Sequence, residues 1–551
     1  MNTVKISIRV VAFIMIFVFV FLKVQDKVTP TWDWPDSQER LTRSITGVCQ
    51  EDKNTLDILW LGTSHMQNGL SPMEIYRNTG LFSYNIATPA QPLMLTYYRL
   101  ESALKEQSPK LVFLDASGFF ASNYSNTLEA RWLKTLACYP KSHILERIKV
   151  AVSMPKLQTD KSKADETIGA VLPIIRFHTN YMLTEENFVD LHEQMPNLAK
   201  GHVIKTWVKP VGSNAATGEQ ADDEEEDEAV EGMGNALIEK LKGRMAVNYK
   251  ALERISKLCQ AHHCELILTK IPVHPAAKSG SIWSNEKHNI TQETADQLGV
   301  KFLDLNDVDL GIDWTKDTCD GGEHLNELGA IKASRYYAQW LTDEYGLTGS
   351  GEEKLTQAWD AQLKIYDDVL DRFEMQLVFD VAEYMNGLKQ GNYTILCAVS
   401  GNVGDYWTEN IQKAFAKATG MQSNLYKMWK KNGKRAYVGA FADGKALMEV
   451  SKAKTCKAKG TLPDGREFVL SSAVANDVRS ASIQIGGVEY APQGKGMCIV
   501  VYDNDMRCVI DSKIFNTQKE DIPSARNSSF FPEFRLGVND YEYRAMKAAE
   551  L

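Results

Sequence analysis

One short stretch near residue 60 has the residue types and spacing of a serine nucleophile. Ser64 follows the apolar run 56–61, and Gly62 lies between the two in a short turn. A strand that ends in a tight turn before a helix exposes the residue at the turn. A serine hydroxyl there can attack a carbonyl once a base removes its proton. The alternative for Ser64 is a helix N-cap.

A second stretch, far along the chain, has the residue types that activate a serine. Asp320 and His324 lie four residues apart on a predicted loop. A histidine can accept the serine proton, and a carboxylate fixes the tautomer of that histidine. We therefore predict Ser64 as nucleophile, His324 as general base and Asp320 as its orienter. Asp317 is the alternative orienter, and a place beside a helix N-cap is the structural alternative for His324.

These residues need a scaffold, and the apolar pattern between residues 55 and 345 predicts one. Mostly apolar strands that alternate with amphipathic helices indicate a parallel sheet covered on both faces. Active sites of such sheets lie at the carboxyl ends of the strands, which is where Ser64 falls. The predicted strands are 56–61, 82–86, 110–115, 264–270 and 301–305.

The two motifs together resemble a known superfamily. Ser64 after Gly62, and the block 320–330 with its Asp, His-Leu-Asn and Gly-Ala, resemble the first and last blocks of the SGNH/GDSL hydrolases. The resemblance covers roughly 55–345 and is closest to the membrane-anchored branch that acylates envelope and exported polysaccharides. It implies a three-layer α/β/α fold and a serine esterase or O-acyltransferase.

An acyl-transfer site also needs donors for the developing oxyanion. The candidates are the backbone N–H of Ser64 and the side-chain amides of Asn85 and Gln91, on the loop after the second strand. The alternative is that both amides only tie that loop together. Three other residues are candidates for lining a substrate groove, with a structural role as the alternative for each: His65, His178 and Lys270.

The first 24 residues predict a transmembrane anchor. Val10 to Leu22 carry no charge, and the apolar stretch lengthens to 4–24 if the flanking Lys and Arg side chains reach the interfaces. A cleaved signal peptide and a buried helix are the alternatives. Lys5 and Arg9 favour a cytoplasmic N-terminus, with the rest of the chain outside the cell membrane.

Other segments are assigned by composition. Residues 25–54 are predicted to form a polar stem. Residues 116–245 are predicted to be an insertion in the α/β domain, with an acidic disordered loop at 219–231. A linker helix is predicted at 346–375. Residues 521–551 form an unassigned tail.

The chain changes character after the linker helix and predicts a mixed α+β, mainly β, domain at 376–520. Within it, 482–490, 496–503 and 509–517 resemble the end of the interleukin-like EMT inducer domain, which also occurs as a sugar-binding stem domain. The resemblance implies an independent sugar-binding module. Its candidate stacking aromatics are Trp407, Tyr426 and Trp429, with core packing as the alternative for each.

Composition limits the partners. A net charge of −9 argues against nucleic acid, and no spacing of His or Cys predicts a metal or other cofactor. We expect an extracytoplasmic O-acetyltransferase or esterase acting on a cell-surface or exported polysaccharide, with a membrane-bound acyl donor protein as a further candidate partner. The alternatives are a non-catalytic glycan-binding or assembly adaptor, and transfer of D-alanine or another acyl group to teichoic acid.

Overall fold

The structure is a computed structural model of the 551-residue chain. It describes residues 2–28, 47–120, 135, 146, 148–150, 174, 199–205, 208–211, 235–277, 285–349, 352–378, 380–388, 391–401, 407–433, 435–474, 480–505, 507–516 and 524–526. The described chain divides into two compact units, 1–358 and 359–551. The acidic loop, His178, most of the stem and most of the tail lie outside the described residues.

A five-stranded parallel sheet forms the centre of the first unit, in the order β2-β1-β3-β4-β5. The predicted alternation and the parallel sheet are therefore confirmed. Each strand lies within its predicted run: β1 Ile58–Leu61, β2 Ser83–Asn85, β3 Leu111–Asp115, β4 Glu265–Lys270 and β5 Lys301–Asp304.

Helices pack on this sheet in two groups. The helix bounds are α2 Ser64–Gly69, α3 Pro72–Thr79, α4 Leu93–Ala103, α5 Ser117–Phe120, α6 Asn235–Ala261, α7 Asn285–Leu298 and α8 Glu327–Tyr345. Helix α8 contacts α2 and α3, whereas α6 contacts α4 and α5. Every residue of β1 and β3 is buried, so side chains on both faces of these strands are covered.

The sheet brings polar residues to one edge. Because the strands are parallel, their carboxyl ends meet there. Asn85 ends β2, Asp115 ends β3 and Lys270 ends β4, while Ser64 follows β1 by three residues. The polar residues that end β2, β3 and β4 therefore lie at the same edge of the sheet as the turn that carries Ser64.

The first helix, α1, spans Asn2–Val28. It exposes apolar side chains such as Phe13, Phe17 and Phe19. Among the described residues, no helix reaches the length and apolarity expected of a membrane span.

The second unit is mainly β, as predicted. Its ten strands form one sheet with the path β12-β11-β10-β6-β13-β14-β15, in which β7 also pairs with β6, β8 with β7 and β9 with β10. The strands are β6 Tyr393–Ser400, β7 Ala436–Ala442, β8 Lys445–Lys452, β9 Thr455–Thr461, β10 Glu467–Ala473, β11 Ala481–Ile485, β12 Val488–Glu489, β13 Gly496–Asp503, β14 Cys508–Phe515 and β15 Ser524–Arg526. Its helices are α9 Glu353–Leu377 (which begins in the first unit), α10 Val381–Gly387, α11 Glu409–Thr419 and α12 Leu425–Asn432.

The candidate sugar-stacking aromatics pack inward. Trp407 is 3% exposed, donates its indole N–H to Gln412 and meets the Trp429 ring edge-on at 5.6 Å. Tyr426 and Trp429 are partly buried against the same hydrophobic core. Core packing, the alternative stated for each ring, accounts for these contacts.

Candidate functional site

Three of the predicted residues form one continuous chain of hydrogen bonds. Ser64 Oγ lies 2.7 Å from His324 Nε2, and His324 Nδ1 lies 2.5 Å from Asp320 Oδ2. A carboxylate only accepts, so Nδ1 carries a proton and, in the neutral ring, Nε2 presents its lone pair to the serine. All three side chains are partly exposed, with His324 20% accessible, so a substrate can reach them.

The turn that presents Ser64 is built on a close approach of two strand ends. Gly62 has a φ of +146°, and a Cβ there would lie 2.4 Å from the Cβ of Asp115. Thr63 caps α2 and donates its hydroxyl to Asp115 Oδ2 at 2.6 Å. The other oxygen of Asp115 accepts from the backbone N–H and hydroxyl of Ser117. The buried carboxylate of Asp115 thus fixes the turn through its hydrogen bond to Thr63.

Asp320 is held in place by the loop of His324. The backbone N–H of His324 donates to Asp320 Oδ1 at 2.8 Å, while the ring contacts Oδ2. Burial works to raise the pKa of Asp320, but the hydrogen bonds and charge of His324 outweigh it and hold that pKa below its usual range. Asp320 therefore stays ionised and keeps its bond to the imidazole.

The alternative orienter, Asp317, points to other partners. Its Oδ2 lies 2.5 Å from Lys332 Nζ and accepts the backbone N–H of Asp313 at 2.7 Å. The backbone carbonyl of Asp317 accepts from Asn326. The structure therefore brings Asp320, and not Asp317, to His324.

His65 lies behind the general base and not in an open groove. It is 9% exposed, and its ring stacks on that of His324 at a centroid distance of 4.9 Å. Burial lowers the pKa of His65 well below its ordinary value, and the nearby charges of Lys270 and His324 lower it further. His65 is therefore a neutral ring that stacks on the His324 imidazole.

Lys270 is also buried, at 2% exposure, with its ammonium group on the carbonyl of Ile271 at 3.1 Å. Burial lowers the pKa of Lys270, although the carboxylates of Asp115, Asp304 and Glu323 oppose the shift. Such a group cannot line a substrate groove in this conformation. Its buried position corresponds to the structural role given as the alternative for Lys270.

The two candidate oxyanion amides differ. Asn85 donates both N–H groups of its amide, to the carbonyls of Met66 and Leu70, and its oxygen accepts from Ala87. It ties the loops together, which is the alternative stated for it. Gln91 accepts from Thr88 through Oε1, and its buried Nε2 has no partner among the described residues.

One group of described side chains could hold a metal ion. The ligand atoms of His288, Asp304 and Asp307 lie within 4.8 Å of one another. His288 Nδ1 already lies 2.9 Å from Asp304 Oδ2, and the other oxygen of Asp304 accepts from Asn306. Hydrogen bonds within the group therefore account for its geometry.

Sequence reasoning did not identify Asp115 and Thr63 as site residues. Asp115 carried a usable signal, because a carboxylate that ends an apolar strand lies at the carboxyl edge of a parallel sheet. Thr63 carried none beyond its place before the serine.

Comparisons with known proteins add little to this geometry. No family model matches the chain, and no curated protein matches it. Among solved structures, a chain from Streptococcus pneumonia that is provisionally assigned as a platelet activating factor aligns with 60% of this chain and 99% of its own length. The identity is 13% and the TM-score 0.26. The assignment of the site therefore depends on its own contacts.

The close approach at Gly62 predicts a large effect of Gly62→Ala. The new Cβ would overlap Asp115, and the positive φ adds strain of about 1–3 kcal/mol. We expect a clear fall in the thermal midpoint of the first unit. Gly299→Ala is the matched control, because its φ is +65° but nothing lies within 4 Å of the added Cβ. Equal losses in the two variants, measured by circular dichroism, would contradict the role assigned to the contact.

Proposed function

We propose that this protein is a serine esterase or O-acyltransferase of the SGNH kind. The observation that carries the proposal is the aligned chain from Ser64 through His324 to Asp320, with distances of 2.7 and 2.5 Å. These distances are those of a nucleophile, a general base and an orienting carboxylate. The five-stranded parallel sheet, with the serine at its carboxyl edge, agrees with this class.

The reaction begins when His324 Nε2 takes the proton of Ser64 as Oγ attacks the ester carbonyl. The tetrahedral intermediate collapses when the imidazolium gives that proton to the leaving alcohol, and an acyl-serine remains. Water or a sugar hydroxyl then loses a proton to Nε2 and attacks the acyl group, which gives a second tetrahedral intermediate. This intermediate collapses when the bond between the acyl carbon and Ser64 Oγ breaks, and the imidazolium returns the proton to Oγ. Water gives hydrolysis, and a sugar hydroxyl gives transfer.

The oxyanion donors we propose are the backbone N–H of Ser64 and the side chain of Gln91. Asn85 has both amide protons engaged elsewhere. The amide nitrogen of Gln91 is buried without a described partner, which supports it as a donor. A donor of this kind typically contributes about 100-fold or more to turnover.

The substrate we propose is an acylated polysaccharide of the cell envelope or one exported through it. This part of the proposal is supported by the sequence resemblance of both units. The second unit would hold the polymer near the serine and raise its local concentration. Within the site, the partial exposure of the triad leaves room for a polymer to approach.

Replacement of the nucleophile tests the activity directly. Ser64→Ala should remove turnover of an activated acetyl ester, because in the proposed reaction Ser64 Oγ supplies the attacking oxygen. A fluorophosphonate probe should label the parent protein and not the variant. Ser71→Ala is a suitable control, since Ser71 is a fully buried serine at the start of α3. Turnover retained by Ser64→Ala would refute the assignment.

The orienter is tested by a pair of substitutions. Asp320→Asn should lower kcat by about 10⁴-fold, because the amide favours the wrong imidazole tautomer. Asp317→Asn should affect mainly stability, through Lys332. A larger kcat loss in Asp317→Asn than in Asp320→Asn would show that Asp317, and not Asp320, orients His324.

We also propose that α1 anchors the protein with the bulk of the chain outside the membrane. The proposal is supported by the uncharged run from Val10 to Leu22 and by the exposure of its apolar side chains. Full-length protein should stay in the membrane fraction after carbonate extraction, and external protease should remove residues 55–345. A version that begins after residue 28 should be released. Recovery of both versions in the soluble fraction would exclude an anchor.

A further inference from the structure

A buried histidine in the long insertion lies between the segment of Ser64 and the segment that carries Asp320 and His324. His202 belongs to a segment, here called the strap, made of residues 199–205 and 208–211. Its ring is 0% exposed and so is the side chain of Glu327. No feature of the sequence pointed to His202, because the insertion shows no strand or helix pattern around this residue.

The strap is fixed to both sides of the site by backbone hydrogen bonds. On the nucleophile side, Lys200 accepts from the backbone of Asn85, and Val203 donates to the carbonyl of Gln67. Gly201 approaches so closely that a Cβ there would lie 1.8 Å from the carbonyl oxygen of Asn85.

The general-base side is joined in the same way. Lys209 donates to Thr318 at 3.0 Å and accepts from Gly321 at 2.9 Å, and Glu327 donates to the carbonyl of Lys205 at 3.0 Å. These residues flank Asp320 and His324. The strap therefore crosses from the turn of the nucleophile to the loop of the base.

The His202 ring makes the same crossing through its two nitrogens. Nδ1 lies 2.9 Å from the carbonyl of Gln67, and Nε2 lies 2.6 Å from Glu327 Oε2. Gln67 is three residues after Ser64 on α2, and Glu327 is three residues after His324 at the first position of α8. One imidazole thus joins the helix that begins with Ser64 to the start of the helix that follows His324.

The hydrogen bonds of His202 and Glu327 limit where the protons of these two side chains can lie. A carbonyl only accepts, so Nδ1 must carry a proton. The contact between Nε2 and Glu327 then needs a second proton, which lies on the ring or on the carboxyl group. In either arrangement the buried pair is satisfied, and removal of one member leaves the other without its partner.

We propose that His202 is a positioning residue, and that Glu327 holds it, so that together they set the distance between Ser64 Oγ and His324 Nε2. The inference rests on the proposed function, because it assigns the pair a part in that reaction. The His202 ring and the Glu327 carboxylate together act as a spacer of fixed length between α2 and the start of α8. A misplacement near 1 Å costs on the order of 100-fold in rate.

The experiment compares two conservative changes at Glu327 in the full chain. Glu327→Gln keeps the length, and its amide can donate to Nε2 of a neutral His202. Glu327→Asp keeps the charge and is one methylene shorter. We expect Glu327→Gln to retain kcat within about threefold, and Glu327→Asp to lose about 100-fold with little change in KM. His202→Ala should lose as much, while His262→Ala, an exposed histidine, should match the parent.

A second readout separates positioning from loss of fold. The proton between His324 Nδ1 and Asp320, across 2.5 Å, should give a far-downfield proton resonance in the parent. Folded Glu327→Asp should shift or broaden it, and Glu327→Gln should preserve it. Parent-like kcat in folded Glu327→Asp, or a greater loss in Glu327→Gln, would overturn the inference. If the parent turns over no ester and takes no serine probe, the proposed function fails instead.

Discussion

The candidate site depends on one hydrogen bond between residues that are 260 positions apart, the 2.7 Å contact of Ser64 with His324. Neither partner can set this distance alone. Ser64 is fixed by the strand end at β1, through Thr63 and the buried Asp115. His324 is fixed by Asp320 on its own loop. Because each support belongs to a different segment, the packing between segments decides whether the bond forms.

Burial and neighbouring charges set the protonation states of the side chains beside His324. Burial and the neighbouring cations keep His65 neutral, while His324 holds Asp320 ionised. Lys270 is surrounded by Asp115, Asp304 and Glu323, which offset the cost of burying its ammonium group.

Much of the first unit could be predicted from sequence, because apolar runs of four to six residues are a local signal. Ser64, Asp320 and His324 could be proposed for a similar reason: they lie after a strand end or on a loop, where catalytic residues are common. Asp115 was within reach of the same argument. His202 was not, because its role is set by Gln67 and Glu327, which no local pattern connects to it.

Sequence gives the type of a residue but not the direction of its side chain. A groove lining and a structural role were therefore both open for His65 and Lys270, and both side chains are buried in the structure. Strands β8 and β9 are half exposed and carry lysines, so they lack the long apolar run by which a buried strand is predicted. Trp407 likewise packs in a core, where its ring contacts Phe415 and Trp429.

The orientation of Gln91 follows from its neighbours and explains why it differs from Asn85. Arg99 only donates, and it donates to the hydroxyl oxygen of Thr88. The Thr88 proton must then go to an acceptor, which makes its contact with Gln91 the Oε1 atom. The amide nitrogen of Gln91 is therefore turned away from Thr88, while the backbone N–H of Thr88 binds Gly62 in the nucleophile turn. A buried donor without a described partner, on a loop tied to that turn, costs free energy in the resting protein. In the proposed reaction such a donor is free to bind the negative charge that develops in the transition state.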